Sequence, residues 1–165
     1  MGRYRPPAAP SSKYITPVGK DKLQKEHDYL WQKKRPEITR SVQEAAAQGD
    51  RSENAEYIYG KKQLREIDYR LRHLRKRLAD ITVVDAVPED QERVFFGAWV
   101  SLEDEAGEIY EYRIVGPDEF DDEDEYISMD APLAKAILKR RLDDEIVVKL
   151  PRGEKRYCIS AIRYQ

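Results

Sequence analysis

Two long stretches of the chain repeat apolar residues at helical spacing, and shorter alternating runs follow them. In the second stretch Leu64, Ile67, Leu71, Leu74, Leu78 and Ile81 recur at intervals of three and four. That is an a/d seam, the pattern of helices packed side by side in a coiled coil. The first stretch opens at Thr16-Pro17, where Thr suits an N-cap and Pro the first helical position, and runs to about Gln48. Its stripe takes in Leu23 and Leu30, then Trp31 and Ile38, each pair seven apart, and continues through Val42 and Ala45. Pro36 lies inside it and removes a helical hydrogen bond, so a kink or local break is expected there. Gly49 ends the first arm, and Ser52 is placed to cap the second with Glu53 in its first turn. From Asn54 to Ile81 the second arm would span roughly 42 Å at 1.5 Å per residue.

After Asp85 the period changes. Val94 to Val100, Ile109 to Val115, Tyr126 to Met129, Glu145 to Val148 and Tyr157 to Ile162 read as strands, with a turn at Asp104 to Gly107. Ala131 to Leu138 reads as a short helix for which Asp130 is a plausible cap. The expected fold class is α+β: an antiparallel coiled-coil hairpin, then a compact β-rich domain with one short helix. The expected division is an N-terminal arm over 1–12, the coiled coil over 13–86 and the β-rich domain over 87–165. Met1 to Ser12 is rich in Pro, Ala and Ser and is expected to be disordered.

Composition narrows the function classes. Charged residues make up 38% of 165, and no apolar run approaches the roughly 18 residues of a membrane span. Met1 to Ser12 has no apolar core of a signal peptide. The single cysteine, Cys158, excludes an internal disulfide and lies in a strand-like run, as a buried structural thiol would. Cytoplasmic residence is the expectation. Charge is divided unevenly. Through Ala86 there are 19 Lys and Arg against 12 Asp and Glu, a net of +7, and from Val87 onward 11 against 20, a net of −9. The two halves should therefore prefer different partner surfaces.

The candidate chemistry lies between the arms, in Gly49-Asp50-Arg51-Ser52-Glu53-Asn54-Ala55-Glu56-Tyr57. Asp50 and Glu53 are three apart, and in a turn running into helix both side chains can face one way. Two carboxylates can hold a hard cation such as Mg²⁺, but Mg²⁺ takes octahedral oxygen coordination, so a two-acid tip is half a site that another molecule completes. In a two-metal site the second ion can activate a water for attack on a phosphodiester. The plainer alternative is that these acids serve only the turn and the helix dipole. Lys61, Lys62 and Arg65 follow on the second arm, and Arg70, Arg72, Arg75, Lys76 and Arg77 continue toward its base, with Arg40 and Arg51 adding charge. With the seam made of Leu and Ile, these cations must face outward. There they either contact phosphate or form a solvated helix face. His27 and His73 stand alone on the arms.

The nine-residue tip motif, the arm from Gly49 to Leu78 and the run Val94-Phe95-Phe96-Gly97-Ala98-Trp99-Val100 resemble the GreA/GreB family of bacterial transcript cleavage factors. The resemblance covers Thr16 to Tyr164. Arg51-Ser52 after Asp50, and Lys61 to Asp68, favour its GreB branch. It implies a transcription elongation factor that inserts its coiled coil through the secondary channel of RNA polymerase. The polymerase then cuts backtracked nascent RNA with its own active site, and arrested complexes are rescued. On that resemblance Asp50 and Glu53 help hold a catalytic Mg²⁺ shared with the polymerase. Arg51, Ser52, Asn54 and Tyr57 support the tip, and Lys61, Lys62 and Arg65 guide the RNA 3′ segment. The C-terminal domain would be FKBP-like, with Asp130 and Pro132 docking on the polymerase rim. The factor would be a monomer, associated with the nucleoid through the polymerase, and not a nuclease on its own. Two departures stand out: Ala131 where the docking loop is expected to carry serine, and the strongly acidic run Asp118 to Glu125, expected to be a solvated loop. One rival is a regulator that occupies the same channel without cleavage. Another is a prolyl isomerase, which rests on fold analogy alone.

Overall fold

The computed structural model describes residues 8–49 and 54–164. They form two compact units, one of residues 20–81, the other of the chain up to Gly19 together with the chain from Thr82 on.

The first unit is the helical hairpin. Helix α1 (Pro17–Tyr29) passes through a π-helical turn (Leu30–Lys34) into α2 (Arg35–Ala47), and α3 (Ala55–Asp80) returns. Rising numbers on the first arm meet falling ones on the second, so the arms are antiparallel. Arg35 Nε donates to Asp68 Oδ1 at 2.7 Å, while Asn54 Nδ2 donates to the carbonyl of Ala45 at 2.7 Å. The seam buries Ile38, Val42, Ile67 and Leu71, with Leu30, Leu64 and Tyr57 packed on them. Gly60 lets the helices approach, because a Cβ there would sit 2.5 Å from Val42 Cγ2.

Pro36 does not break the arm, whose helical residues run on without a gap from Pro17 to Ala47. The helix widens just ahead of it, and the Arg35 N–H donates to the carbonyl of Leu30, five residues back. A π turn adds one residue to the helix and relieves the crowding of a prolyl ring against the preceding turn. It also changes the seam. Leu23 and Leu30 are seven apart, but Leu30 and Ile38 are eight apart, and the added residue absorbs the difference. Trp31, expected on the apolar stripe, is therefore turned out of it and is 48% exposed.

The second unit centres on a five-stranded sheet. Its strands are β3 (Trp99–Asp104), β4 (Ile109–Val115), β5 (Tyr126–Ser128), β6 (Glu145–Leu150) and β7 (Gly153–Arg163), in the order β5-β4-β3-β7-β6. The β4–β5 pair is parallel and the others antiparallel. One short helix, α4 (Pro132–Ile137), packs on the core of Val94, Val100, Leu102, Ile114, Ile146, Val148 and Ile159. A two-stranded parallel ladder joins β1 (Tyr14–Ile15) to β2 (Thr82–Val83). The expected architecture, a helical hairpin followed by a β-rich domain with one helix, is the one observed. Cys158 is half-buried in β7, and burial, then the carboxylates of Asp143 and Glu145, push its thiol pKa upward, away from reactivity.

Three local expectations are corrected. Val94 to Val100 is not one strand. Gly97 takes φ +85°, which breaks the extended run, so β3 starts at Trp99 and Val94 bonds instead to the backbone of Lys139 and Arg140. Asp130 does not cap α4. Ala131 holds the N-cap position without a side-chain bond, and Asp130 Oδ2 accepts from the Ser12 N–H at 2.8 Å, so Ser12 is part of the folded unit. Residues 1–7 of the N-terminal arm lie outside the described residues.

The third correction concerns the acidic run. Glu119 is only 3% exposed. Its Oε2 accepts from the N–H of Thr16 at 3.1 Å and of Gly116 at 2.9 Å, and its Oε1 accepts from the Thr16 hydroxyl. Thr16 is the expected N-cap of α1, accepting from the Gly19 N–H at 3.1 Å. In a capping box the residue at the third helical position returns a carboxylate to the N-cap N–H. Here that position is Gly19, and Glu119 supplies the carboxylate from 103 residues away. A Cβ on Gly19 would lie 2.1 Å from Glu119 Oε1, so glycine leaves the space the distant acid fills.

Glu119→Ala strands two buried amides and a hydroxyl and should cost about 2 kcal/mol, with Glu119→Gln losing less; denaturant unfolding followed through Trp99 measures it, and an unchanged midpoint would mean other partners suffice. A pH effect is expected in the hairpin. Arg70 donates to both oxygens of Glu26, at 2.6 and 2.8 Å, and this bonding holds the Glu26 carboxyl below its usual range. A depressed folded pKa gives stability that is present above the unfolded value and lost as pH falls through the folded one. Hairpin helicity should therefore weaken on acidification below the ordinary glutamate range, and Glu26→Gln should reduce that dependence.

Candidate functional site

The hairpin's connection is built from both helix ends. α2 closes with Gln48 as its C-cap, its N–H on the carbonyl of Ala45 at 3.2 Å. Gly49 is exposed, with no heavy atom near where a Cβ would sit among the described residues. α3 opens at Ala55, and its cap is Asn54: the side-chain Oδ1 accepts from the Tyr57 N–H at 3.1 Å. This corrects the expectation that Ser52 caps the helix. Asn54 has a second task, since its Nδ2 gives the Ala45 carbonyl a second donor at 2.7 Å beside the Gln48 N–H, in the last turn of α2 where α-helical donors run out. One amide thus ties the start of α3 to the end of α2. Tyr57 packs on the hairpin cluster. Between Gly49 and Asn54 the chain has only Asp50, Arg51, Ser52 and Glu53. These four, including both candidate acids, lie outside the described residues.

Lys61, Lys62 and Arg65 are exposed. Lys62 reaches Glu66 at 4.0 Å with both side chains 66% exposed, a pair worth little in water. Asp130 and Pro132 are in the sheet unit, at the start of α4: Pro132 is exposed in the first turn, and the Asp130 carboxylate is anchored by Ser12. Among the described residues no three His, Cys, Asp or Glu are grouped to hold a metal ion, and no helix is long and apolar enough to cross a membrane. Sequence reasoning overlooked the bridging amide of Asn54, whose signal was an Asn before the helical period. It also overlooked the displaced Trp31, whose signal was the eight-residue interval.

Two family models match the chain, the N-terminal domain of GreA/GreB transcription elongation factors over residues 13–83 and their C-terminal domain over 89–164. The chain belongs to the GreA/GreB family of transcription elongation factors. It is 56% identical over 164 residues to the transcription elongation factor GreB of Pseudomonas aeruginosa, covering 99% of this chain and 98% of that protein. With the GreB of Xanthomonas axonopodis it shares 53% identity, covering 99% and 98%. Among solved structures, Gfh1 of Thermus aquaticus is 25% identical with a TM-score of 0.42, covering 93% and 99%. A GreA/GreB factor of Nitrosomonas europaea is 22% identical with a TM-score of 0.41, covering 93% and 100%. The two GreB relatives agree with the GreB branch that Arg51-Ser52 and Lys61 to Asp68 favour.

Replacing Asn54 with Ala removes a cap and the tie to Ala45 together. It should cost the hairpin about 1–2 kcal/mol, read as a lower thermal midpoint by circular dichroism, whereas Asn54→Asp should keep the cap and lose only the tie.

Proposed function

We propose that this elongation factor places its hairpin in the secondary channel of RNA polymerase and stimulates the polymerase's own cleavage of backtracked nascent RNA, rescuing arrested complexes. The observation that carries the proposal is the Asn54 tie. It fixes the start of α3 to the end of α2, so the four residues bearing Asp50 and Glu53 run between two anchored helix ends. Arg51, Ser52 and Tyr57 support that tip with Asn54.

Asp50 and Glu53 are the two protein ligands this chain would lend to a Mg²⁺ whose other ligands the polymerase provides. Two carboxylates leave most of an octahedral shell unfilled, so on this reading the chain lends ligands to the polymerase's site and is not a nuclease by itself. The bound ion would supply charge stabilisation and an activated water. Lys61, Lys62 and Arg65 hold the RNA 3′ segment by its phosphates, and their exposure leaves them available to do so. Asp130 and Pro132 dock on the channel rim, where the Ser12 anchor stiffens the loop ahead of α4. The factor acts as a monomer in the cytoplasm, at the nucleoid through its polymerase.

The test uses backtracked complexes carrying 3′-labelled RNA with Mg²⁺. The native chain should release short 3′ fragments; Asp50→Asn or Glu53→Gln should abolish the stimulation while polymerase binding stays nearly unchanged. Fragments absent with the native chain despite binding would identify a channel-occupying regulator, and lost binding in the variants would make the acids structural.

A further inference from the structure

The residue added ahead of Pro36 leaves an indole on the hairpin surface. Trp31 is 48% exposed, while its neighbours Leu30 and Ile38 serve the seam. It is not bare. The guanidinium of Arg75 lies 4.7 Å from its ring centroid and that of Arg35 lies 5.9 Å away. These two arginines differ in their partners. Arg35 is held by Asp68 at 2.7 Å. Arg75 donates to His27 Nε2 at 3.3 Å, and no carboxylate pairs with it among the described residues.

Arg75 also ends a row. One position past the seam of α3 stand Lys61, Arg65, Asp68, Arg72 and Arg75, at intervals of four, three, four and three. Residues so spaced share one helix flank and neighbour each other. The four cations are exposed, and none has an ion pair among the described residues. The row's one acid, Asp68, is taken by Arg35. A flank of open positive charge thus runs for roughly 21 Å, at 1.5 Å per residue, and finishes at a half-open indole with a guanidinium against it.

We propose that Trp31 is a stacking platform for a base of single-stranded RNA whose phosphates run along Lys61, Arg65, Arg72 and Arg75. Proteins that hold single strands combine a basic track with aromatic faces on which bases stack, and cations beside the ring add to the attraction. This deepens the proposed function by extending the RNA path beyond Lys61, Lys62 and Arg65 to the π-helical turn, and it rests on that function for the identity of the strand.

The experiment uses the full chain and an oligouridylate of roughly ten nucleotides, within the site sizes of such grooves. In a Trp99→Phe background Trp31 is the sole indole, and RNA should quench its fluorescence at low salt. In the otherwise native chain Trp31→Ala should weaken binding of labelled oligouridylate on the order of fivefold or more, Trp31→Phe should restore most of it, and Arg72→Ala should lower the salt slope by about one. Far-UV circular dichroism checks that each variant folds. Absence of RNA binding, binding without quenching, or unchanged affinity in Trp31→Ala would overturn the platform. So would a Trp31→Ala chain that binds RNA normally but polymerase weakly, since the indole would then face protein. The two proposals stay separable, because a native chain that binds RNA as described yet stimulates no cleavage removes the proposed function alone.

Discussion

The hairpin depends on keeping one apolar seam continuous past a proline. A straight α-helix cannot do this here, because Leu30 and Ile38 are eight residues apart where the seam allows seven, and because the Pro36 ring crowds the turn before it. Insertion of one residue through the π turn removes both conflicts at once. Leu30 stays against the cluster of Ile38, Val42, Ile67 and Leu71, and the cost appears on the surface as an exposed Trp31. The same turn leads directly into Arg35, whose bond to Asp68 crosses between the arms. A local backbone irregularity therefore keeps the long-range packing regular.

Helix ends supply the second set of constraints. Each long arm starts with a side-chain cap that also engages residues outside its own helix. Thr16 caps α1 while its amide and hydroxyl are held by Glu119. Asn54 caps α3 while its amide group satisfies α2. A cap of this kind fixes where a helix begins through a partner outside that helix. The six-residue α4 has no side-chain cap and relies on Pro132, whose fixed φ suits a first helical position. The short helix is held by packing of Ala134 and Ile137, both fully buried, so losing a cap there costs it less.

Periodicity made the seam, the five-stranded half and the position of the connection legible, because burial of Ile67, Leu71, Val100, Leu102 and Ile114 follows from spacing alone. What spacing could not show was any contact set by distance along the chain. Glu119 looked like one more solvated acid among Asp118 to Glu125; its 103-residue partnership with Thr16, joined by the nearby Gly116 amide, takes it out of water. Trp31 and Ile38 seven apart looked like a stripe, because nothing in the spacing announced the residue that the π turn adds between them. Gly97 inside Val94 to Val100 was the one local sign that the strand would start late, and its positive φ is the reason. At the candidate site, the role of Asn54 was half legible: an Asn before a helical period announces a cap, but its second bond to Ala45 requires the antiparallel return.

The charge division then acquires a spatial meaning that net charge lacks. At physiological ionic strength exposed charges are screened beyond about 8 Å, so a surplus of +7 through Ala86 and −9 after it does little at long range. Neighbours at intervals of three and four on a helix lie about 5–6 Å apart at Cβ, inside that length. Lys61, Arg65, Arg72 and Arg75 therefore act on a polyanion chiefly through adjacency along one flank, and neutralising Asp68 with Arg35 matters more than its single charge suggests, because it removes the only acid within that row. The π turn delivers Arg35 to that place. The backbone irregularity that preserves the apolar seam is thus also what leaves the charged flank free of a competing carboxylate.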